Sequence, residues 1–505
     1  MPAVQSRLDS HRRDAAKAAN ILQQARDDAS KSRGYQSAPT RARIRNEFRE
    51  RNGFDAHDWQ AGLEAVCSMI AGTGAGKTMP FVMPLFADSD KMIIIMSPLN
   101  VLEEDQASRF IKMGLSAVAV NGETYSNELH KDIQEFKHRV IITSPEMCLK
   151  HDKFRQLLST VAFTKRIAAF VIDEAHCITQ WGDDFRKEYA ELGTLRAFVP
   201  SKVPFLVASA TMPPVVLAAV RKSVHIRADA SYHINIGTDR PNIAWFVHRM
   251  KAAKSDIEAL DFLIPTTSDS TPTSDSTSDS GSDSDASAID LAQTMVFFDD
   301  IPLTMDALKY LRARLPNRSK GQIAIYHAKR SRRSKRLVME RFRKGEIKIL
   351  LTTEAAGMGC DIPHIEQVVQ FMVPGSLSIW MQRAGRAGRN FQINARAILL
   401  VQPTVFVKLN SKSDENTVTY QKKVEEGLRA WIETVECRRE VVDEYFDNGV
   451  ARRKHLPLNA RARLAVMTKI PQVKLRTKTV NVQCARRRRR HLIAARSTSK
   501  MLGTF

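Results

Sequence analysis

The chain has 505 residues, 43% of them apolar, and a formal net charge of +22. That length exceeds one ordinary core and suits two or three domains. No apolar run approaches the roughly 20 residues needed to cross a bilayer, and Met1 to Lys31 is too polar for a secretory signal, so no membrane partner is expected and the protein reads as intracellular.

Residues 1–40 mix charge and alanine without an apolar stripe and form a polar N-terminal extension, closed by a hinge-like Tyr35-Gln36-Ser37-Ala38-Pro39-Thr40. From about 60 to 245, short β-rich runs alternate with helical stretches: Lys91–Met96, Val140–Thr143, Ala168–Ile172 and Pro204–Ala208. This alternation predicts a parallel α/β domain over 41–240. Residues 266–287 are almost entirely Ser, Asp and Thr. Such a stretch cannot bury enough apolar surface to order itself, and is expected to be a disordered acidic insert. Its Ser-Asp pairs suit either a solvated spacer or acidophilic-kinase sites.

The alternation resumes with Thr294–Phe298, Gln322–Tyr326, Ile347–Thr352, Gln367–Met372 and Arg396–Val401, which predicts a second α/β domain over 241–405. Residues 412–447 read as helix within a segment 406–450, and 451–505 form a basic tail with 16 Lys and Arg and no Asp or Glu. The tail points to a polyanion partner or to an import signal of the Arg486–Arg490 type. Six cysteines lie far apart with no C-x-x-C pair, as free thiols in a reducing compartment would.

Three segments carry chemistry. Ala71-Gly72-Thr73-Gly74-Ala75-Gly76-Lys77-Thr78 follows a short apolar strand and opens a helix, the context of a phosphate-binding loop. Its glycines free backbone N–H groups to turn toward phosphate, Lys77 would reach the β/γ-phosphates of ATP, and Thr78 would ligate Mg²⁺. Asp173-Glu174 closes the run Ala169–Ile172, at the carboxyl end of a buried strand where open α/β sheets bind ligands. Asp173 would hold the Mg²⁺ and Glu174 would polarise the attacking water. Arg386 and Arg389, in Gln382-Arg383-Ala384-Gly385-Arg386-Ala387-Gly388-Arg389, belong to the second α/β half. Closure of the halves over ATP would make them arginine fingers; otherwise they form a basic helix face.

These residues resemble superfamily 2 helicases, and among them the RecQ-like DNA helicases, from about Ile44 to Phe446, roughly four-fifths of the chain. Trp59-Gln60 is similar to the family's adenine-reading Gln motif, Ser97-Pro98-Leu99 with Asp105-Gln106 to motif Ia, Thr143-Ser144-Pro145-Glu146 to motif Ib, and Ser209-Ala210-Thr211 to motif III, which couples hydrolysis to domain movement. His176 to Arg186, with Trp181, Phe185 and Arg186, resembles the RecQ aromatic-rich loop that links strand contact to the ATP site. Two aromatics there suit base stacking without sequence preference. Asp239-Arg240-Pro241-Asn242 resembles the junction between the halves, Tyr326-His327-Ala328 with Arg336 a strand-binding segment, and Thr352 to Asp361 motif V, which puts Asp361 at the nucleotide.

The resemblance implies two tandem RecA-like domains with a helical C-terminal extension and basic tail. It further implies an ATP-dependent helicase moving 3′ to 5′ on single-stranded and partly duplex DNA, in recombination and repair in a nucleus. It departs in two places. Lys77 follows Gln60 by only 17 positions, fewer than the family usually has, which leaves open a catalytically impaired nucleic-acid-binding relative; an RNA helicase is a third reading. Cys437-Arg438-Arg439 starts like the RecQ zinc module, but the later cysteines are absent, so a zinc site is not supported and 406–450 reads as a helical remnant truncated after the helicase core.

Overall fold

Met92–Met96 is apolar and Val140–Thr143 nearly so, and both are buried at every position, the mark of strands covered on both faces. They belong to a computed structural model that describes residues 67–181, 187–199, 203–228, 231–265, 290–356, 362–390, 392–409 and 419–448, with positions 42, 45–47, 49 and 50. The N-terminal extension 1–40, the acidic insert 266–287 and the basic tail 451–505 lie outside the described residues.

The first sheet contains β1 (Cys67–Ala71), β2 (Met92–Met96), β3 (Ala117–Val120), β4 (Val140–Thr143), β5 (Ile167–Ile172), β6 (Phe205–Ser209) and β7 (Tyr232–Gly237). All pair in parallel, in the order β3-β4-β2-β5-β6-β1-β7. Chain-adjacent β1 and β2 are therefore separated by β5 and β6. Register aligns Ile70 with Ser209, Val207 with Ile172, and Ile172 with Met96, so the loops leaving β1, β6, β5 and β2 emerge side by side at the carboxyl edge. Helix Thr78–Ala87 covers one face through Phe81, Val82, Leu85 and Phe86, packed in one core with Ile93, Ile95, Phe110, Ile142 and Val171.

A second parallel sheet holds β8 (Ile243–Arg249), β9 (Thr294–Phe297), β10 (Ile323–Tyr326), β11 (Ile349–Thr352), β12 (Gln367–Phe371) and β13 (Ala395–Val401), in the order β10-β11-β9-β12-β13-β8. Helix Ile301–Ala313 sets Leu303, Ala307 and Leu311 into its core against Val296, Ile323 and Leu351. The chain divides into one unit with the first sheet, ending at Asp239 and joined by the chain from Val442, and a second unit running Arg240–Val441. Each sheet unit is a RecA-like α/β fold.

The predicted helix over 412–447 needs correction. Thr419–Tyr420 is a short strand paired antiparallel to Lys408–Leu409, and the helices are Glu426–Glu433 and Arg438–Tyr445. Helix Glu426–Glu433 belongs to the second core: Trp431 is fully buried, with ring centroids 6.0 Å from Trp245 and 5.8 Å from Trp380 in edge-on contact. Among the described residues no helix is long and apolar enough to cross a membrane. Cys148 and Cys177 are free and buried, whereas Cys437 is disulfide-bonded, which corrects the expectation of six free thiols.

Candidate nucleotide site

The loop between β1 and helix Thr78–Ala87 is shaped by glycine. Gly74 and Gly76 take φ of 82° and 80°, a left-handed backbone that L side chains rarely adopt, and this turns the peptide N–H groups. Gly72 donates its N–H to the Gly237 carbonyl at 3.0 Å, and a Cβ there would crowd Thr238 Cα at 3.3 Å. Helix Thr78–Ala87 starts at Lys77 with no side-chain cap; the Met79 N–H is taken by the Gly76 carbonyl (3.2 Å), and the positive end of the helix dipole at Lys77 and Thr78 favours an anion. Lys77 and Thr78 stand at this start, as their spacing predicts.

Asp173 follows β5, one strand from β6 and two from β1. Its carboxylate is buried and accepts hydrogen bonds from Gln106 Nε2 (2.8 Å) and from the Glu174 N–H (2.9 Å). Burial first, and the Glu174 charge second, lift its pKa from 3.8 to about 6, against the pull of Lys77 and these hydrogen bonds. A divalent cation bound beside Asp173 would favour the ionised form that burial opposes. Glu174 sits at φ 49°, costing on the order of 1 kcal/mol for a side-chain-bearing residue. The turn is held by Ala175 N–H donating to the Ala208 carbonyl (2.9 Å) and Cys177 N–H donating to the Glu174 carbonyl (2.9 Å). It brings Glu174 Oε1 to 3.9 Å from Lys77 Nζ, so the loop and the acidic pair meet directly.

His176 carries this cluster to the next strand. Its Nδ1 lies 3.3 Å from Glu174 Oε2 and 2.8 Å from Ser209 Oγ. Burial disfavours the imidazolium, but Cys177 and Glu174 outweigh that and raise its pKa. Ser209 Oγ also accepts from the Thr211 N–H (3.2 Å) and donates to the Thr211 carbonyl (3.2 Å). Polar side chains thus follow one another from Lys77 to Glu174 (3.9 Å), His176 (3.3 Å) and Ser209 (2.8 Å), which is bonded to the Thr211 backbone.

In the second unit, Arg383, Arg386 and Arg389 have different settings. Arg383 is buried and tied to Glu354 Oε2 (2.9 Å from Nε), Asp299 Oδ1 (2.7 Å) and Gln370 Oε1 (2.7 Å). Burial opposes its charge, yet Glu354 and Asp299 raise its pKa, so it stays cationic and structural. Arg386 and Arg389 lie in the turn after helix Leu377–Ala384. Gly388 there has φ 57°, and a Cβ would fall 2.6 Å from Asn242 Nδ2 and 2.8 Å from Ala395 Cβ. Close packing onto Asn242 is what requires this glycine.

Gln60, Phe185, Arg186 and Asp361 lie outside the described residues. Trp181 ends helix Cys177–Trp181, and its side chain lies outside them as well. Sequence reading named Gln106 only as part of a motif, and did not find its bond to Asp173 or the buried pair Asn121 Nδ2 to Glu103 Oε2 (2.7 Å). The available signal was polar residues at otherwise apolar spacing in helix Asn100–Lys112. Asp239-Arg240-Pro241-Asn242 spans the boundary between the two units, as expected of a junction, and Arg240 also donates to the backbone carbonyls of Gly385 and Ala387.

A parallel sheet with a glycine loop, an acidic pair and a Ser-Ala-Thr strand end, followed by a second sheet with an arginine turn, defines a helicase core. Residues 58–219 match the DEAD/DEAH box helicase family and residues 288–391 the helicase conserved C-terminal domain. The chain is similar to a putative ATP-dependent RNA helicase R290 of Acanthamoeba polyphaga mimivirus, 28% identical over 76% of this chain and 64% of that one. It is similar also to the ATP-dependent DNA helicase RecQ of Haemophilus influenzae (25%; 75% and 56%) and to the probable ATP-dependent DNA helicase RecS of Bacillus subtilis (29%; 66% and 60%). The chain thus spans about three-fifths of the length of these relatives. In fold it is like the helicase MrfA bound to DNA and AMPPNP (TM-score 0.53, 18% identity, 72% of this chain and 50% of that one). Saccharomyces cerevisiae Dbp5 bound to RNA and ADP BeF3 is comparable (TM-score 0.51, 16% identity, 76% and 84%). Together these matches support a RecQ-like helicase of superfamily 2.

Proposed function

We propose that this protein is an ATP-dependent DNA helicase or translocase that moves 3′ to 5′ on single-stranded DNA. The observation that carries the reading is the polar path from Lys77 through Glu174 and His176 to Ser209, which links a phosphate loop to the strand end expected to report hydrolysis. ATP would lie against the Gly72–Thr78 loop, with Gln60 on its base and Asp361 completing the site. Thr78 and Asp173 would hold Mg²⁺, which when bound neutralises the phosphate oxygens. Glu174, freed from Lys77 by the arriving phosphate, would orient the attacking water; Arg386 and Arg389 would stabilise charge on the transferred group. Trp181, Phe185 and Arg186 would meet the strand, and Ser209 and Thr211 would pass the change of state onward.

DNA is favoured by the relatives named as DNA helicases and by the loop after His176; the mimiviral relative, named as an RNA helicase, favours RNA. The nuclear setting, in recombination and repair, rests on the Arg486–Arg490 run. The positive-φ glycines and uncapped helix start favour productive nucleotide binding over a catalytically impaired binding protein. The test is ATP turnover with single-stranded DNA or RNA, for wild type and Lys77→Ala. DNA-stimulated turnover lost in the variant supports the proposal. Stronger stimulation by RNA selects the RNA reading, and equally weak ATP binding by both proteins leaves only a binding module.

A further inference from the structure

Helix Leu377–Ala384 and the arginine turn after it are gripped at three points by one downstream stretch. At the helix start, Glu425 Oε2 accepts from the Leu377 N–H (3.2 Å) and from the Leu428 N–H (2.8 Å), so one carboxylate serves the positive ends of two helices. At mid-helix, buried Trp431 packs on Trp380 with centroids 5.8 Å apart. At the far end the grip is relayed. Arg439 donates from Nη1 to the Arg240 carbonyl (3.0 Å) and from Nη2 to the Ile243 carbonyl (2.6 Å). The Arg240 guanidinium, itself buried, donates to the carbonyls of Gly385 (3.2 Å), Ala387 (3.2 Å) and Gly388. Asn242 Nδ2 adds bonds to the carbonyls of Gly388 (2.6 Å) and Ile393 (3.0 Å).

Carbonyls at a helix end have no partners within the helix, and a turn with two glycines has many conformations open to it. Arg240 and Asn242 remove that freedom from the residues that carry Arg386 and Arg389. Charge stabilisation of phosphoryl transfer depends on position, and a misplacement of about 1 Å can lower a rate on the order of a hundredfold.

We propose that Glu425–Arg439 is a brace for catalysis, in which Arg439, through Arg240, positions the Gly385–Arg389 turn. The proposal rests on the reading of Arg386 and Arg389 as stabilisers of the transferred phosphate. It gives the segment a role that needs no zinc: the stretch sets the geometry of an arginine pair encoded some fifty residues earlier.

The experiment uses the full chain, with steady-state ATPase at saturating single-stranded DNA. Arg439→Ala, Arg439→Lys and Glu425→Gln are compared with Arg386→Ala, Arg389→Ala and the doubles that combine Arg439→Ala with each. Arg439→Ala is expected to lower kcat on the order of tenfold, with KM for ATP within about twofold and the thermal midpoint preserved. Arg439→Lys, which can keep one carbonyl bond, should recover part of the loss. In whichever background has already lost the stabilising arginine, Arg439→Ala should add little, because its effect passes through that side chain. If Arg386→Ala or Arg389→Ala lowers kcat while Arg439→Ala and Glu425→Gln do not, the brace is refuted and the arginine reading stands. Full multiplication of the losses in both doubles also overturns it. If neither arginine variant lowers kcat, the arginine reading itself fails, and the brace with it. Should Arg439→Ala not fold, Arg439→Lys and Glu425→Gln carry the comparison.

Discussion

Asp173→Asn should stabilise the metal-free protein while abolishing ATP turnover. Burial and the neighbouring Glu174 charge push the wild-type carboxyl from 3.8 up to about 6 in the folded chain. At roughly 1.4 kcal/mol per unit, ionising the buried group costs on the order of 3 kcal/mol. The sign follows from proton uptake: between about pH 4 and pH 6 the folded state binds more protons than the unfolded one. Stability therefore falls as pH rises through this window, and the cost is complete above about pH 6. Asparagine removes the charge. It can still accept from the Glu174 N–H, and its Nδ2 can donate to Gln106 Oε1, which has no hydrogen-bond partner among the described residues, once that amide rotates. One imperfect hydrogen bond would return about 1 kcal/mol, leaving a gain of roughly 1–3 kcal/mol. Urea unfolding of wild type and variant in EDTA, at several pH values from 4 to 8, reads the difference; groups remote from Asp173 cancel in it, whereas Glu174 and Lys77, which interact with it, contribute. The expected difference favours the variant at pH 8 and falls steadily toward pH 4, where only the roughly 1 kcal/mol cost of the imperfect hydrogen bond is left. A difference that does not change with pH, or a variant less stable at pH 8, would refute the reasoning. Added Mg²⁺ and ATP should stabilise wild type and leave Asp173→Asn unchanged.

Ser209→Ala removes the hydroxyl shared by His176 and Thr211, so DNA-stimulated ATPase should persist while strand movement per ATP falls, measured by displacement of a labelled strand; equal loss of both activities would count against the coupling path. Gly388→Ala puts a methyl group 2.6 Å from Asn242 Nδ2 at φ 57°, and should cost about 1–3 kcal/mol of unfolding free energy, read as a lowered denaturation midpoint. An unchanged midpoint would show that the turn can shift away from Asn242. Trp431→Ala should cost about 3–5 kcal/mol and Trp431→Phe much less, because the buried indole fills the core beside Trp245 and Trp380. Removal of 451–505 should reduce the slope of log affinity against log salt by about 0.7 for each lost single-strand contact; an unchanged slope would make the tail an import signal.

The sequence by itself determined the two α/β units, because β-branched apolar runs such as Ile-Ile-Ile in β2 and Val-Ile-Ile in β4 recur between helical stretches, as strands of a sheet covered on both faces do. It also located Lys77, Thr78, Asp173 and Glu174, because phosphate loops and acidic strand ends are local in the chain. Strands β3, β7 and β8 were not legible. Ala-Val-Ala-Val is too short to separate from a helix turn, and Tyr232–Gly237 alternates only weakly.

Only the tertiary structure decided which residues serve one another. That β5 and β6 lie between β1 and β2 is a matter of strand order, and this order brings His176 to Ser209 across 33 residues of chain. The same holds for Arg240, whose partners are backbone carbonyls at 385, 387 and 388. A carbonyl is common to every residue type, so no side-chain pattern in the sequence could have marked those acceptors. The phosphate loop and acidic pair are written in consecutive letters; the supports that aim the arginine turn exist only once the second sheet has closed around them.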